Sequence, residues 1–154
     1  MEHGIAYYEQ LQGKVDEVIA EQDRLLSSIK SKEQRIGEIG LLIKHVSAYR
    51  EYRPVYEQYR KSSDKEKFLR GQESQIILFE SAAKALKQMG VQKLPDVAAL
   101  KKEMNSLTAE KQQEYGEYQK IKVQAKELDT IKRNVDQFLS VPPKEEREKN
   151  QERE

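Results

Sequence analysis

From Tyr8 to Val46 one apolar stripe recurs along the chain at heptad spacing. With Tyr8 at heptad position a, the a residues are Tyr8, Val15, Gln22, Ile29, Ile36 and Ile43. The d residues are Leu11, Val18, Leu25, Lys32, Ile39 and Val46. Nine of these twelve are aliphatic, and the residues between them are mostly charged or polar. A repeat of 3.5 residues held for this length keeps one seam turned toward a partner helix. A second run lies near the far end, with Val97, Met104, Lys111, Tyr118, Ala125, Lys132 and Leu139 at a. Its d residues are Leu100, Leu107, Glu114, Ile121, Leu128 and Val135. Two seams of matched length in one chain predict a coiled-coil hairpin.

The whole chain sets the outer bounds. Its 154 residues suit a single domain. A charged fraction of 36% would suit disorder, but the sustained periodicity places the sequence with long helices and coiled coils. An elongated hairpin buries little surface per residue, so only a thin core is expected. The net charge of +1 makes no global claim on nucleic acid or membrane, which leaves local clustering to make one. The absence of cysteine excludes disulfides, thiol nucleophiles and zinc–thiolate sites. No apolar run approaches a bilayer span, and 1–9 does not read as a signal peptide, so the expected location is cytoplasmic.

In chain order, the first helix is expected from about Ile5 to Lys61. Gly13, Gly37 and Gly40 disfavour it, and close packing or local flexibility accounts for Gly37 and Gly40 better than a break. After Val46 the phase changes: Tyr49, Tyr52, Tyr56 and Tyr59 follow at steps of three, three, four and three. That stammer overwinds a coil locally, and Pro54 within it predicts a kink. Ser63 and Glu66 have capping-box spacing and start a short turn through Phe68, with Gly71 as a further interruption. Gln72 to Met89 reads as a helix apolar on two sides, Ile76, Phe79, Ala83 and Leu86 against Ile77, Leu78, Ala82 and Met89. It should therefore be the most enclosed element. Gly90 suits a C-terminal cap, and Pro95 a first helical turn. The last helix runs to about Leu139, Ser140 to Pro143 stop it, and 144–154 is a disordered charged tail outside the 1–143 helical domain.

The expected fold is all-α: an elongated antiparallel coiled-coil hairpin of two long helices with a shorter middle helix. The register puts Val97 opposite Val46 and Val135 opposite Tyr8. It also sets Lys32 and Lys111 in one layer, with Glu114 one layer away as their partner. An up-down-up bundle and an intermolecular coil are the alternatives.

Little in the sequence points to catalysis. His3 lies in the lead-in and His45 lies off the seam, neither with a second histidine or a carboxylate cluster at metal spacing. No Ser/His/Asp set, Gly-rich phosphate loop or Walker pattern is present. The expectation is a protein that is not an enzyme, with no cofactor, no metal and no small-molecule substrate.

The most suggestive stretch is 44–70, where eight Lys/Arg face four acids and tyrosines are interleaved. Arg50, Arg53, Arg60 and Lys61 are candidates for phosphate contacts, and Tyr52 and Tyr56 for stacking on unpaired bases. The simpler reading makes the tyrosine stripe the packed face of the hairpin head, with the arginines as solvated flanks.

Around this stretch several residue strings are informative together. They are His45-Val46, Tyr49-Arg50, Arg53-Pro54-Val55-Tyr56, Tyr59-Arg60-Lys61-Ser62 and Lys67-Phe68, then Ala82-Ala83-Lys84, Met89-Gly90, Lys93-Leu94-Pro95, Asn134-Val135-Asp136 and Leu139. With the opening His3-Gly4-Ile5 and Tyr8-Glu9-Gln10-Leu11, this order resembles the C-terminal helical region of conjugative relaxases (mobilisation nucleases) of integrative and mobilisable elements in gut Firmicutes. In that family an N-terminal nuclease domain nicks DNA with a tyrosine nucleophile and a histidine-held divalent metal. No such constellation can be placed here, so the resemblance transfers no active-site residue. It implies that Met1 opens a fragment or a separate reading frame. It also implies an accessory role, positioning DNA or docking relaxosome and coupling partners. The competing reading is a structural coiled-coil adaptor or homodimeriser unrelated to DNA.

Overall fold

The computed structural model describes residues 2–139, with side chains from Gly4 onward. The side chain of His3, the stop at 140–143 and the tail at 144–154 lie outside the described residues. The described chain is all-helical: α1 spans Glu2–Lys61, α2 Lys65–Gln88 and α3 Val97–Leu139. It divides into two compact units, one of Met1–Ile29 with Gln112–Glu154, the other of Lys30–Lys111.

The first unit packs one segment of α1 against one segment of α3. Leu11, Val18, Leu25 and Ile29 are buried, and all of them are a or d residues. On α3 the half-buried residues of this unit are the expected seam, Glu114, Tyr118, Ile121, Ala125, Leu128, Lys132 and Val135, joined by Asp136. Inter-helix partners run in opposite order along the two segments. Ser28 Oγ donates to Glu114 Oε1 at 3.0 Å, and the Tyr8 hydroxyl bonds the Asp136 side chain, one residue from the expected Val135. A Cβ on Gly4 would lie 3.3 Å from Leu139 Cδ2, so glycine there permits a close approach of the helices.

The second unit joins the end of α1, all of α2 and the start of α3 around Ile39, Val46, Ile76, Phe79, Ala82, Leu86 and Leu100. Ile39 and Val46, both d residues, are 0% exposed. Partners of α1 again descend along the chain. Glu33 pairs with Lys111 at 3.3 Å, Arg35 with Glu103 at 3.0 Å, and Arg50 Nη2 donates to the Pro95 carbonyl at 3.2 Å. Lys111 is thus neutralised from across the pair by Glu33, whose e-position carboxylate reaches over the seam.

Several local expectations are corrected. α1 starts at Glu2, ahead of the expected Ile5, and ends at Lys61 as expected, with Pro54 inside it. A Cβ on Gly37 or Gly40 would meet nothing within 4 Å, so close packing does not explain either glycine. α2 runs from Lys65 as two helical segments joined across a kink, with the non-helical backbone at Gln72 (φ −132°, ψ 19°), one residue past the expected interruption at Gly71. Its N-cap is Asp64, not Ser63. The Asp64 carboxylate accepts the Lys67 amide at 3.1 Å, and an anion there complements the helix dipole. Gly90 closes α2 as expected, at φ +77°, with Gly90 N–H to Lys87 O and Val91 N–H to Leu86 O. Pro95 precedes the α3 cap and lies outside its first turn; the cap is Asp96, whose carboxylate accepts the Ala98 amide at 3.1 Å.

The expectation that α2 is enclosed on two sides also fails. Ile76, Phe79, Ala82 and Leu86 form one buried stripe, while Ile77 is 51% and Leu78 47% exposed, and Met89 is exposed too. Apolar residues on both sides do not enclose a helix that is packed along one face only.

Candidate nucleic-acid interface

The candidate head is built from the C-terminal third of α1 and from α2, wholly within the second unit. The tyrosine spacing after Val46 turns one side of α1 toward α2, and Tyr49, Tyr52, Tyr56 and Tyr59 are all half-buried. Phe79, projecting from the buried stripe of α2, sits between two of them. Its ring centroid is 4.7 Å from Tyr49 and 4.4 Å from Tyr56. The series continues from Tyr56 to Tyr59 and from Tyr59 to Phe68, each at 6.2 Å. Such separations suit offset and tilted ring packing.

The candidate cations occupy the adjoining side of α1. Arg50, Arg53, Arg60 and Lys61 are all exposed. The three arginines, at steps of three and seven, form a stripe about one residue's rotation from the tyrosines, and Lys61 lies about 100° round the helix from Arg60. Glu57 lies on the same stripe and bonds Arg53 at 3.1 Å, leaving a net charge of +3 over the five residues. The Arg53 guanidinium also lies 6.0 Å from the Tyr49 ring centroid, within cation–π range. Arg50 ties α1 to the α2–α3 connection through Pro95. Arg60 and Lys61 end α1, where cations complement the helix dipole, and with Glu57 they line a shallow open depression.

The structure therefore brings the four cations onto one exposed surface. Tyr52 and Tyr56 lie on the adjoining half-buried side, with one face of the Tyr56 ring against Phe79. Sequence reasoning missed Phe79 and Phe68 as the rings that complete the aromatic series. The seven-residue step from Tyr49 to Tyr56 signals two rings on one face, but the ring between them comes from another helix. His45 is half-buried one turn before Tyr49. Among the described residues no group of three or more His, Asp or Glu is placed to hold a metal, and no helix is long and apolar enough to cross a membrane.

Comparison with protein-family models, with curated proteins and with solved structures finds no match to this chain.

Proposed function

We propose that this chain is a non-catalytic helical module, an elongated antiparallel coiled-coil hairpin whose head contacts nucleic acid through Arg50, Arg53, Arg60 and Lys61. In the setting implied by the relaxase resemblance, it is an accessory region working in the cytoplasm, where it positions DNA or docks relaxosome and coupling partners during mobile-element transfer. The observation that carries this reading is the alignment of exposed Arg50, Arg53 and Arg60 along one face of α1, with Glu57 among them and Lys61 at the end of the helix. Lys and Arg side chains gathered on one helix neutralise neighbouring phosphates and release their counterions. Half-buried tyrosines lie beside them, and aromatic rings in such a position stack on unpaired bases.

A second reading, a purely structural adaptor, draws support from the Tyr49–Phe79–Tyr56 packing, which already gives the tyrosines a stabilising role. Fluorescence anisotropy of a labelled single-stranded oligonucleotide, titrated with the full chain at low salt, separates the two. Binding that weakens steeply with added salt supports the first reading. No binding at the lowest salt leaves the adaptor.

A further inference from the structure

In the first unit, α1 and α3 border an apolar groove of about 500 Å³, lined by Gly4, Tyr7, Ile131, Val135 and Phe138 among others. Phe138 is 82% exposed, an unusual state for a phenylalanine beside an apolar groove. With Tyr8 and Val97 at a, Tyr7, Ile131 and Phe138 are all g residues, flanking the seam. The other g residues of this unit are Lys14, Glu21, Ser28, Glu117 and Gln124, all polar or charged. Here the apolar stripe widens from two positions in seven to three, the pattern of a helix that faces more than one neighbour.

Residues 140–154 are a poor occupant. They contain Val141 and two prolines, and otherwise only polar and charged side chains. A second copy is a good one, because the same surface supplies both a projecting ring and a groove. Such a surface is self-complementary about a two-fold axis, where each copy gives what the other receives. The next charged residues along the lining faces, Lys14 and Glu127, have opposite signs, so a second copy meets no single-sign rim.

We propose that this groove is a homodimer interface, in which Phe138 of each copy enters the groove between Tyr7 and Ile131 of the other. The patch is small, and interfaces burying less than about 1,200 Å² associate weakly. Sedimentation velocity of the full chain between about 1 and about 200 µM covers the range in which such a dimer dissociates. The expected result is a shift from one chain to two across that range. Phe138→Glu should weaken association by at least about tenfold, as loss of a central aromatic anchor does. Tyr7→Lys on the opposite wall should do the same, Phe138→Leu should retain the dimer, and Val123→Glu, exposed elsewhere on α3, should leave it unchanged. Circular dichroism should show equal helix content in all four variants. A chain that stays monomeric throughout, or a dimer indifferent to both Phe138→Glu and Tyr7→Lys, would overturn the proposal.

Discussion

The Tyr56 ring stacks on Phe79 with centroids 4.4 Å apart and planes inclined by 24°. Because Tyr49 packs 4.7 Å from the same ring, Phe79 joins two turns of α1 to α2. Phe79→Ala should therefore lower the unfolding free energy by about 3 kcal/mol or more, the range for large-to-small changes at buried aromatics. Tyr56→Phe keeps the ring and should change stability by less than about 0.5 kcal/mol. Chemical denaturation of both variants measures the contrast.

Depth within the α1 seam should grade the penalty for truncation. Ile39 is completely buried, whereas Ile36, on the other half of the seam, is half-buried. Ile39→Ala should cost about 3 kcal/mol and Ile36→Ala about 2 kcal/mol, because less of the second side chain leaves water on folding. Equal losses in denaturant melts would show that the two halves of the seam are equally enclosed.

The open surroundings of Gly37 and Gly40 give an expectation of opposite sign. Both lie in α1, and a methyl group at either would touch nothing within 4 Å. Gly37→Ala and Gly40→Ala should each stabilise the protein by about 1 kcal/mol through helix propensity alone. A rise in thermal midpoint for both substitutions checks this.

The phenol of Tyr8 bonds Asp136, and that hydrogen bond, with lesser contributions from desolvation and from the carboxylate charge, raises its pKa above the ordinary 10.0. A raised acid contributes stability that is fully present below pH 10.0 and is lost as pH climbs through the higher folded-state value. Asp136→Asn should bring the Tyr8 titration back toward the ordinary value. The ring resonances of Tyr8, followed by NMR between neutral and strongly alkaline pH, report it directly.

Much of this structure was legible from the 3.5-residue repeat, because burial in a thin helical pair follows period before anything else. Every a and d residue assigned to the two seams is buried or half-buried, except Leu139. Even the phase shift through Tyr49, Tyr52, Tyr56 and Tyr59 appears in the burial of those residues. What escaped depended on choices among near-equivalent neighbours. Asp64 caps α2 in place of Ser63, and Glu33 reaches Lys111, because helix ends and long charged side chains select partners within one turn that periodicity does not rank. The open side of α2 escaped as well, since an apolar residue pattern does not say how many neighbours a helix has. At the candidate site the cationic stripe was legible as spacing. The Phe79 ring at the centre of the aromatic series was not, because it depends on a contact between two helices.

The claim that the head contacts nucleic acid is tested most directly by the salt dependence of oligonucleotide binding before and after neutralising its stripe. The variant replaces Arg50, Arg53, Arg60 and Lys61 with Gln, and a control replaces Lys101, Lys102 and Lys126. If four phosphates are engaged, log affinity of the unmutated chain for a single strand should fall against log salt with a slope of about −3. The four-site variant should lose most of its affinity and flatten that slope at unchanged helix content, while the control keeps both. Equal losses from the two sets, or a slope unaltered by removal of the stripe, would contradict the account.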